Sequence, residues 1–215
     1  MKNHLLPVWL LFASAVLPSE GAMMITEFMY QGMDAAQTEF VEFTNVGSVA
    51  IDMTGWSFDD DSNVPGSLDL SGFGIVEPWQ SVVITDALAA DFRALWNLDP
   101  SVKIIGESDE GLARNDIMYL YNASNAPVDV LAYGDQNLPG SPRPRFAGFT
   151  TNPANYGAND IFEWYASTLA DGISFASDAN DIGSPGIAVV PEPSIWGAAG
   201  AGLVVAGCRR YRRNA

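Results

Sequence analysis

Short stretches in which apolar and polar residues alternate run through the middle of the chain, separated by turn-forming residues. The clearest is 39–44, where Val41 and Phe43 share one face, as is typical of a half-buried β-strand. The same pattern predicts strands at 23–30, 51–53, 56–58, 80–85, 116–121 and 128–133. Short strands at this spacing predict an all-β fold, either a sandwich or a barrel. The expected core includes Trp56, Phe58, Val82, Ile84, Tyr119, Val130 and Trp164.

One segment between these strands has the periodicity of a helix. Its apolar residues recur every three or four positions, at Leu88, Phe92, Leu95 and Trp96. Asp86 is the predicted N-cap. Asp99-Pro100 ends the helix because the residue before a proline disfavours the α conformation. We expect the apolar face of this helix to cover the open end of the sandwich.

Residues 1–22 are predicted to form a secretory signal peptide. Lys2 provides the positive start, an apolar run follows over 5–12, and Ala13-Ser14-Ala15 offers the small residues that a signal peptidase needs. The folded domain is therefore expected to occupy residues 23–187.

The end of the chain, residues 188–215, has three parts. The tripeptide Pro191-Glu192-Pro193 comes first, an apolar run over 195–207 follows, and the last part is a cluster of Arg209, Arg210, Arg212 and Arg213. As a helix the apolar run is about 20 Å long, shorter than the roughly 30 Å hydrocarbon core of a bilayer. The arginines favour a transmembrane helix whose last residues stay in the cytoplasm.

This order of parts resembles the PEP-CTERM sorting signal of bacterial exported proteins. The resemblance implies that an exosortase-type membrane enzyme processes the Pro-Glu-Pro motif. It also implies that the protein passes through the inner membrane to the cell surface or the extracellular matrix. A simple tail anchor, in which the short helix stays in the membrane, is the alternative.

The charge of the chain argues against one class of partner. The 215 residues include 26 acidic and 10 basic side chains, and half of the basic ones lie in the two terminal segments. The body of the protein therefore repels the phosphates of nucleic acids. We expect no nucleic-acid partner.

Reactive side chains are scarce in the body. The only histidine is His4 and the only cysteine is Cys208, and both lie in the terminal segments. A Ser-His-Asp triad, a Cys-His pair and a zinc site of His and Cys are thus excluded from the body. Paired carboxylates and metal sites with oxygen ligands remain. We therefore predict a protein without catalytic activity, with a carboxylate- or metal-based hydrolase of extracellular polymer as the alternative.

The strands resemble those of the lamin-tail domain family. The stretches that carry the resemblance are 25–28, 39–45, 51–59, 116–121 and 128–135, with Trp164 and Gly183-Ser184-Pro185-Gly186 matching the usual end of the domain. The resemblance implies an immunoglobulin-like β-sandwich over 23–187. It implies a fold much more than an activity, because function belongs to sites.

Several acidic residues lie close together in the turn that follows the predicted strand with Trp56 and Phe58. Asp59, Asp61 and Asn63, with Asp69 beyond them, offer the oxygen ligands that Ca²⁺ prefers. The spacing departs from that of an EF-hand loop, since Val64 and Leu70 stand where the loop has Gly and Glu. We expect a solvated acidic turn without a cofactor, and a calcium site is the alternative.

Three glutamates, Glu27, Glu39 and Glu42, lie on neighbouring predicted strands. Alternation puts Glu39 on the face of Val41 and Glu42 on the opposite face, so at most one of these two can line a given pocket.

From the charge, the scarcity of reactive side chains and the tail, we expect a surface or matrix module that binds an envelope polymer or protein. A calcium-modulated adhesion module is a third hypothesis.

Overall fold

The computed structural model of the chain describes residues 22–33 and 39–190, in which β-strands dominate. A single α-helix, α1 (Ala89–Leu95), and three short 3₁₀ helices interrupt them. The strands are β1 (Met23–Met29), β2 (Phe40–Asn45), β3 (Ile51–Asp52), β4 (Ser57–Asp59), β5 (Leu68–Asp69), β6 (Ile75–Val76), β7 (Ser81–Thr85), β8 (Lys103–Ile105), β9 (Asp116–Tyr121), β10 (Pro127–Tyr133), β11 (Phe149–Thr151), β12 (Trp164–Ala166), β13 (Phe175–Ala176) and β14 (Ile182–Gly183).

Two sheets form the body of the domain. The larger has six strands in the order β12-β11-β1-β2-β7-β8, and the smaller has four in the order β10-β9-β4-β5. All neighbours in these sheets are antiparallel except β7 and β8. This arrangement confirms the predicted all-β architecture with one helix, and it is consistent with an immunoglobulin-like sandwich.

The main core lies between the two sheets. Phe43 of β2 packs against Phe58 of β4 with ring centroids 5.6 Å apart, and Phe28 packs against Trp164 at the same distance. The predicted core residues Phe58, Val82, Ile84 and Trp164 are buried there. Trp56, also predicted for the core, is only partly buried and packs against it. The prediction for Tyr119 and Val130 was wrong: both are only partly buried, because Met118, Leu120 and Leu131 take the inward positions of β9 and β10.

A β-bulge in β1 changes which residues face the core. Ile25 pairs with Phe43, but the next pair is Glu27 with Glu42, so that Thr26 is one extra residue on β1. A bulge moves every following side chain to the other face of the sheet. The backbone N–H of Ile25 donates to the Asp129 carboxylate at 2.8 Å. As a result Ile25 lies in the main core, whereas Glu27 lies on the outer face of the larger sheet.

Helix α1 covers this outer face, where a second apolar cluster lies. Phe92 and Trp96 pack on Phe40, with ring centroids 5.7 and 5.8 Å away, and Val83 joins the same cluster. The predicted position at the open end of the sandwich was wrong, because Phe40 and Val83 provide an apolar surface on the outer face. The predicted N-cap was also wrong.

The helix begins at Ala89, and its N-cap residue Leu88 makes no side-chain cap bond. The residues before it belong to a connection that is fixed to a neighbouring segment, since the carbonyl of Ala87 accepts a hydrogen bond from Glu107. Asp86 lies within this connection, before the N-cap position at Leu88, so its side chain does not cap the first turn of the helix.

Both predicted targeting segments lie outside the described residues. These are the secretory signal at 1–22, apart from Ala22, and the sorting signal from Pro191 onwards. Within residues 22–33 and 39–190, no helix has the length and apolar character needed to cross a membrane.

Candidate functional site

Two buried glutamates lie side by side on the outer face of the larger sheet. Glu27 of β1 and Glu42 of β2 are directly opposite each other in the antiparallel ladder. Each is 1% exposed. Side chains at such positions have Cβ atoms about 5 Å apart. Two carboxyl groups therefore share one buried environment on the outer face of the sheet, which we call the glutamate pair.

A short segment near the end of the domain covers the glutamate pair. Residues 184–187 form a turn in which the N–H of Ile187 donates to the carbonyl of Ser184 at 2.9 Å. Pro185 and Gly186 are its central residues, and Gly186 has a φ of 88°. This is the order that a type II turn requires, since proline fixes the first central position and glycine tolerates the positive φ of the second. We call residues 183–187 the strap.

The strap is bonded to both glutamates. Ser184 donates its N–H to both carboxylate oxygens of Glu27, at 3.1 and 2.9 Å, and its hydroxyl to Oε2 at 2.8 Å. Ser167 donates its hydroxyl to Oε1 at 2.7 Å. Gly186 donates its N–H to Oε2 of Glu42 at 2.7 Å. The glutamate pair therefore joins the first two strands of the domain to the segment that follows its last strand.

A row of hydroxyl groups leads away from Glu42. Thr26 donates to Oε1 of Glu42 at 2.6 Å. The Thr26 and Thr44 hydroxyls lie 2.8 Å apart, and those of Thr44 and Ser81 are also 2.8 Å apart. A hydroxyl both donates and accepts, so the bonds in this row can run in either direction. Oε1 of Glu42 can thus accept from Thr26 when ionised or donate to it when protonated.

Burial raises the pKa of both members of the pair. Loss of hydration raises the pKa of Glu27 to about 7, opposed by its hydrogen bonds from Ser167 and Ser184. Burial and the neighbouring Glu27 raise the pKa of Glu42 to about 8. Among the described residues, no lysine or arginine bonds to either carboxylate. Both carboxyl groups therefore favour the protonated form more than a glutamate in water does.

Glycines allow the cover to approach Glu27 closely. A Cβ atom on Gly148 would overlap the carboxyl group of Glu27. A Cβ on Gly183 would lie 3.0 Å from the Trp96 ring and 3.3 Å from Oε1 of Glu27. The site is therefore closed by backbone packed directly on the carboxylate, and it leaves no room for a substrate beside it.

Glu39, the third glutamate singled out in the sequence, lies apart from this pair. It accepts a hydrogen bond from the N–H of Leu112 at 2.6 Å, and burial raises its pKa to about 8. The cavity beside it has a volume of about 10 Å³, room for about one water molecule. No polymer chain can enter a cavity of this size.

The residues predicted to bind calcium are engaged in local turns. The carboxylate of Asp59 is buried and accepts hydrogen bonds from Ser62, Val64 and Ser67. Asn63 accepts from the Tyr121 hydroxyl at 2.6 Å, and Asp69 accepts from the N–H of Ser71 at 2.9 Å. Among the described residues, the acidic group whose oxygens lie within 4.8 Å of one another consists of Asp59, Asp60 and Glu110. Asp61 and Asp69 are not part of it.

A cleft of about 580 Å³ lies beside the strap. Its walls come from the loop that follows α1 and from the strap itself, with Asp99 and Ser101 on one side and Phe175 and Ile187 on the other. Its volume is in the range of small-molecule sites, and its lining is a mixture of apolar and polar groups. Sequence reasoning did not find this cleft, because it joins residues about 85 positions apart.

The sequence placed Glu27 and Glu42 on neighbouring strands, but it did not predict that they face each other. Strict alternation would place Glu27 on the core face with Ile25, and only the bulge at Thr26 brings it opposite Glu42. The roles of Thr26, Thr44 and Ser81 carried no sequence signal. The Ser-Pro-Gly turn did carry one, as the matched end of the lamin-tail resemblance.

Comparison with known proteins agrees with the resemblance found in the sequence. The family model of the lamin tail domain matches residues 17–135, more than half of the chain. No curated protein matches the chain. The matched stretch contains β1 to β10 and the glutamate pair, whereas β11 to β14 and the strap follow it. The chain belongs to the lamin tail domain family.

Proposed function

We propose that the protein is exported and serves, without catalysis, as a structural or interaction module at the cell surface or in the extracellular matrix. The lamin tail domain is a structural, immunoglobulin-like domain. The observation that carries the proposal of export is the tail. There Pro191-Glu192-Pro193, an apolar run and four arginines follow one another in the order of a PEP-CTERM signal.

The interior of the domain favours a module over a hydrolase. Glycoside hydrolysis needs two carboxyl groups that face each other across a space large enough for the substrate. The glutamate pair is instead covered by the strap, and the cavity beside Glu39 has room for about one water molecule. The acidic groups with raised pKa in these two places thus have structural partners and no access for a polymer.

The proposed partners are of two kinds. An exosortase-type membrane enzyme would act on the tail, whose apolar run lies in the inner membrane until processing. An envelope or matrix polymer, or a protein of the same compartment, would bind the exported domain. The cleft beside the strap supports binding of this second kind, because it combines Phe175 with polar groups at Asp99 and Ser101.

A calcium-modulated adhesion module is a second candidate. It is favoured by the group of Asp59, Asp60 and Glu110. Burial and the adjacent Glu110 raise the pKa of Asp60 to about 6. A calcium ion would relieve this repulsion, and oxygen ligands suit it.

The mass of the exported protein tests the main proposal. In a host with an exosortase-type enzyme, the mature chain should end close to Pro191-Glu192-Pro193 and lack residues 195–215. We expect this because two prolines disfavour both helix and sheet, which would leave the tripeptide accessible to a processing enzyme. Glu192→Gln should leave the precursor in the inner membrane, whereas the matched control Glu77→Gln, at an exposed position in the domain, should be processed normally.

Two results would contradict it. A mature chain that keeps Arg209 to Arg213 would indicate a simple tail anchor. Normal export of the Glu192→Gln variant would show that the tripeptide is not the recognised element.

A further inference from the structure

The glutamate pair presents two different hydrogen-bonding environments. Both carboxylate oxygens of Glu27 accept from the backbone N–H of Ser184, which can only donate, and the hydroxyls of Ser184 and Ser167 also contact them. Such an environment suits an ionised carboxylate. At Glu42, Oε2 accepts from the N–H of Gly186, but Oε1 faces the Thr26 hydroxyl, which can accept a proton as well as donate one.

The charges around the pair offer no neutralising partner. The titratable groups that face it from the packed segments are Asp171, after β12, and Tyr156, after the 3₁₀ helix Pro153–Asn155. The side chains of both residues are either neutral or negatively charged, so neither can neutralise a carboxylate of the pair. The strap contributes backbone N–H groups and the Ser184 hydroxyl to the pair, Ser167 contributes a hydroxyl, and Ser81 of β7 is joined to it through the hydroxyl of Thr44. Two adjacent buried carboxylates without a cation repel each other strongly.

We propose that slightly above neutral pH the glutamate pair holds a single proton, on Oε1 of Glu42, and that this proton fastens the strap to the sheet. With the proton in place, Glu27 carries the one negative charge, and the strap bonds to one anion and one neutral acid. When the proton is lost, two negative charges lie under the strap. The strap then opens, and water hydrates both carboxylates.

The proton balance gives the direction of the effect. Closing the strap takes up a proton, because a glutamate in water has a pKa near 4.5 and Glu42 under the strap has one of about 8. The strap is therefore held most firmly at low pH and loosens as the pH rises towards about 8. About one pH unit above that value the proton is absent even under the closed strap, and the opening becomes independent of pH.

Hydrogen exchange on the full-length chain tests the proposal. The probes are the amides of Ser184 and Gly186, with labelling times corrected for the intrinsic pH dependence of exchange. In the unmodified chain, protection of these amides should fall about tenfold between pH 7 and about 8, mostly through Glu42 and in smaller part through Glu27, and it should level off about one pH unit higher. Amides of α1 should show no such fall.

Two variants separate the glutamate pair from the other buried glutamate. Glu42→Gln mimics the protonated acid and leaves Glu27 as the titrating member, so protection of the strap should fall less than about twofold over the same range. Glu39→Gln removes a second carboxyl group of similar pKa that does not contact the strap, and it should keep the profile of the unmodified chain. A pH-independent strap in the unmodified chain, or the same slope in Glu42→Gln, would overturn the proposal.

An infrared titration decides the question even where Glu42→Gln does not fold. In the Glu39→Gln background, the glutamate pair should give the carbonyl stretch of a protonated acid at pH 7, and the band should disappear as the pH rises about one unit past the pKa of about 8 of Glu42. Absence of that band at pH 7 would show that Glu42 is ionised under the closed strap. The proton would then have no role in fastening it.

Discussion

At the scale of single residues, the closest packing in the glutamate site is that of the Gly148 backbone against the Glu27 carboxyl group, which is possible because glycine has no side chain. Gly148 lies so close to Glu27 that a methyl group there would overlap the carboxylate. The same residue donates its N–H to the carbonyl of Ile182 at 2.7 Å and accepts from the N–H of Ser167 at 2.7 Å. The backbone at this position therefore cannot move aside without breaking bonds to two other segments.

Gly148→Ala should destabilise the domain by about 1–3 kcal/mol, the usual cost of forcing an extra group into a packed interior. The measurement is chemical unfolding followed by tryptophan fluorescence. Gly72→Ala is the matched control, since its Cβ would meet Ile105 at an ordinary 3.5 Å and should change stability by less than about 0.5 kcal/mol. Equal effects of the two substitutions would show that the close approach to Glu27 has no energetic weight.

At the scale of elements, hydrophobic alternation predicted most strands but could not reveal the bulge in β1. The hairpin of β9 and β10 was predicted because both strands alternate and four turn-forming residues join them. The bulge depends on the partner strand and on Asp129, which is about 100 positions away and accepts the N–H of Ile25. The helix was found by its period, but its position on the outer face depends on Phe40 and Val83, which only the folded sheet brings together.

Asp129→Ala should destabilise the domain by about 1–3 kcal/mol because it leaves the buried N–H of Ile25 without an acceptor. The loss should be visible as a lower midpoint in urea. Asp109→Ala, at an exposed position in a loop, serves as the control and should be near neutral. If Asp129→Ala is as stable as the control, the bulge does not depend on this carboxylate.

At the scale of the whole molecule, the domain has enough apolar core to fold without a metal. The main core alone joins both sheets, and a second cluster lies beneath α1. Burial of apolar surface contributes about 25 cal/mol for each Å². The acidic turn at Asp59 is held by bonds within the turn and is not the centre of either cluster.

Thermal unfolding in the presence of a chelator should therefore remain cooperative. The measurement is calorimetry with chelator and then with excess Ca²⁺. If the calcium candidate is correct, the ion should raise the midpoint, and Glu110→Gln should abolish that shift without changing the midpoint in chelator. A broad, non-cooperative transition that sharpens only with Ca²⁺ would contradict the prediction and make the acidic group a structural site.

The glutamate pair also determines how the domain would respond to mechanical tension. β1 opens the domain and the strap closes it, yet Ser184 is bonded directly to Glu27. A pull on the chain that follows the strap therefore reaches the short link formed by the bonds of Gly186 and Ser184 to the glutamate pair before it reaches β14. Such a link yields when a few hydrogen bonds break, and the sheets behind it stay folded until then. A protein held by its last residues would extend first at the strap, and its resistance to that first extension would depend on the acidity of its surroundings.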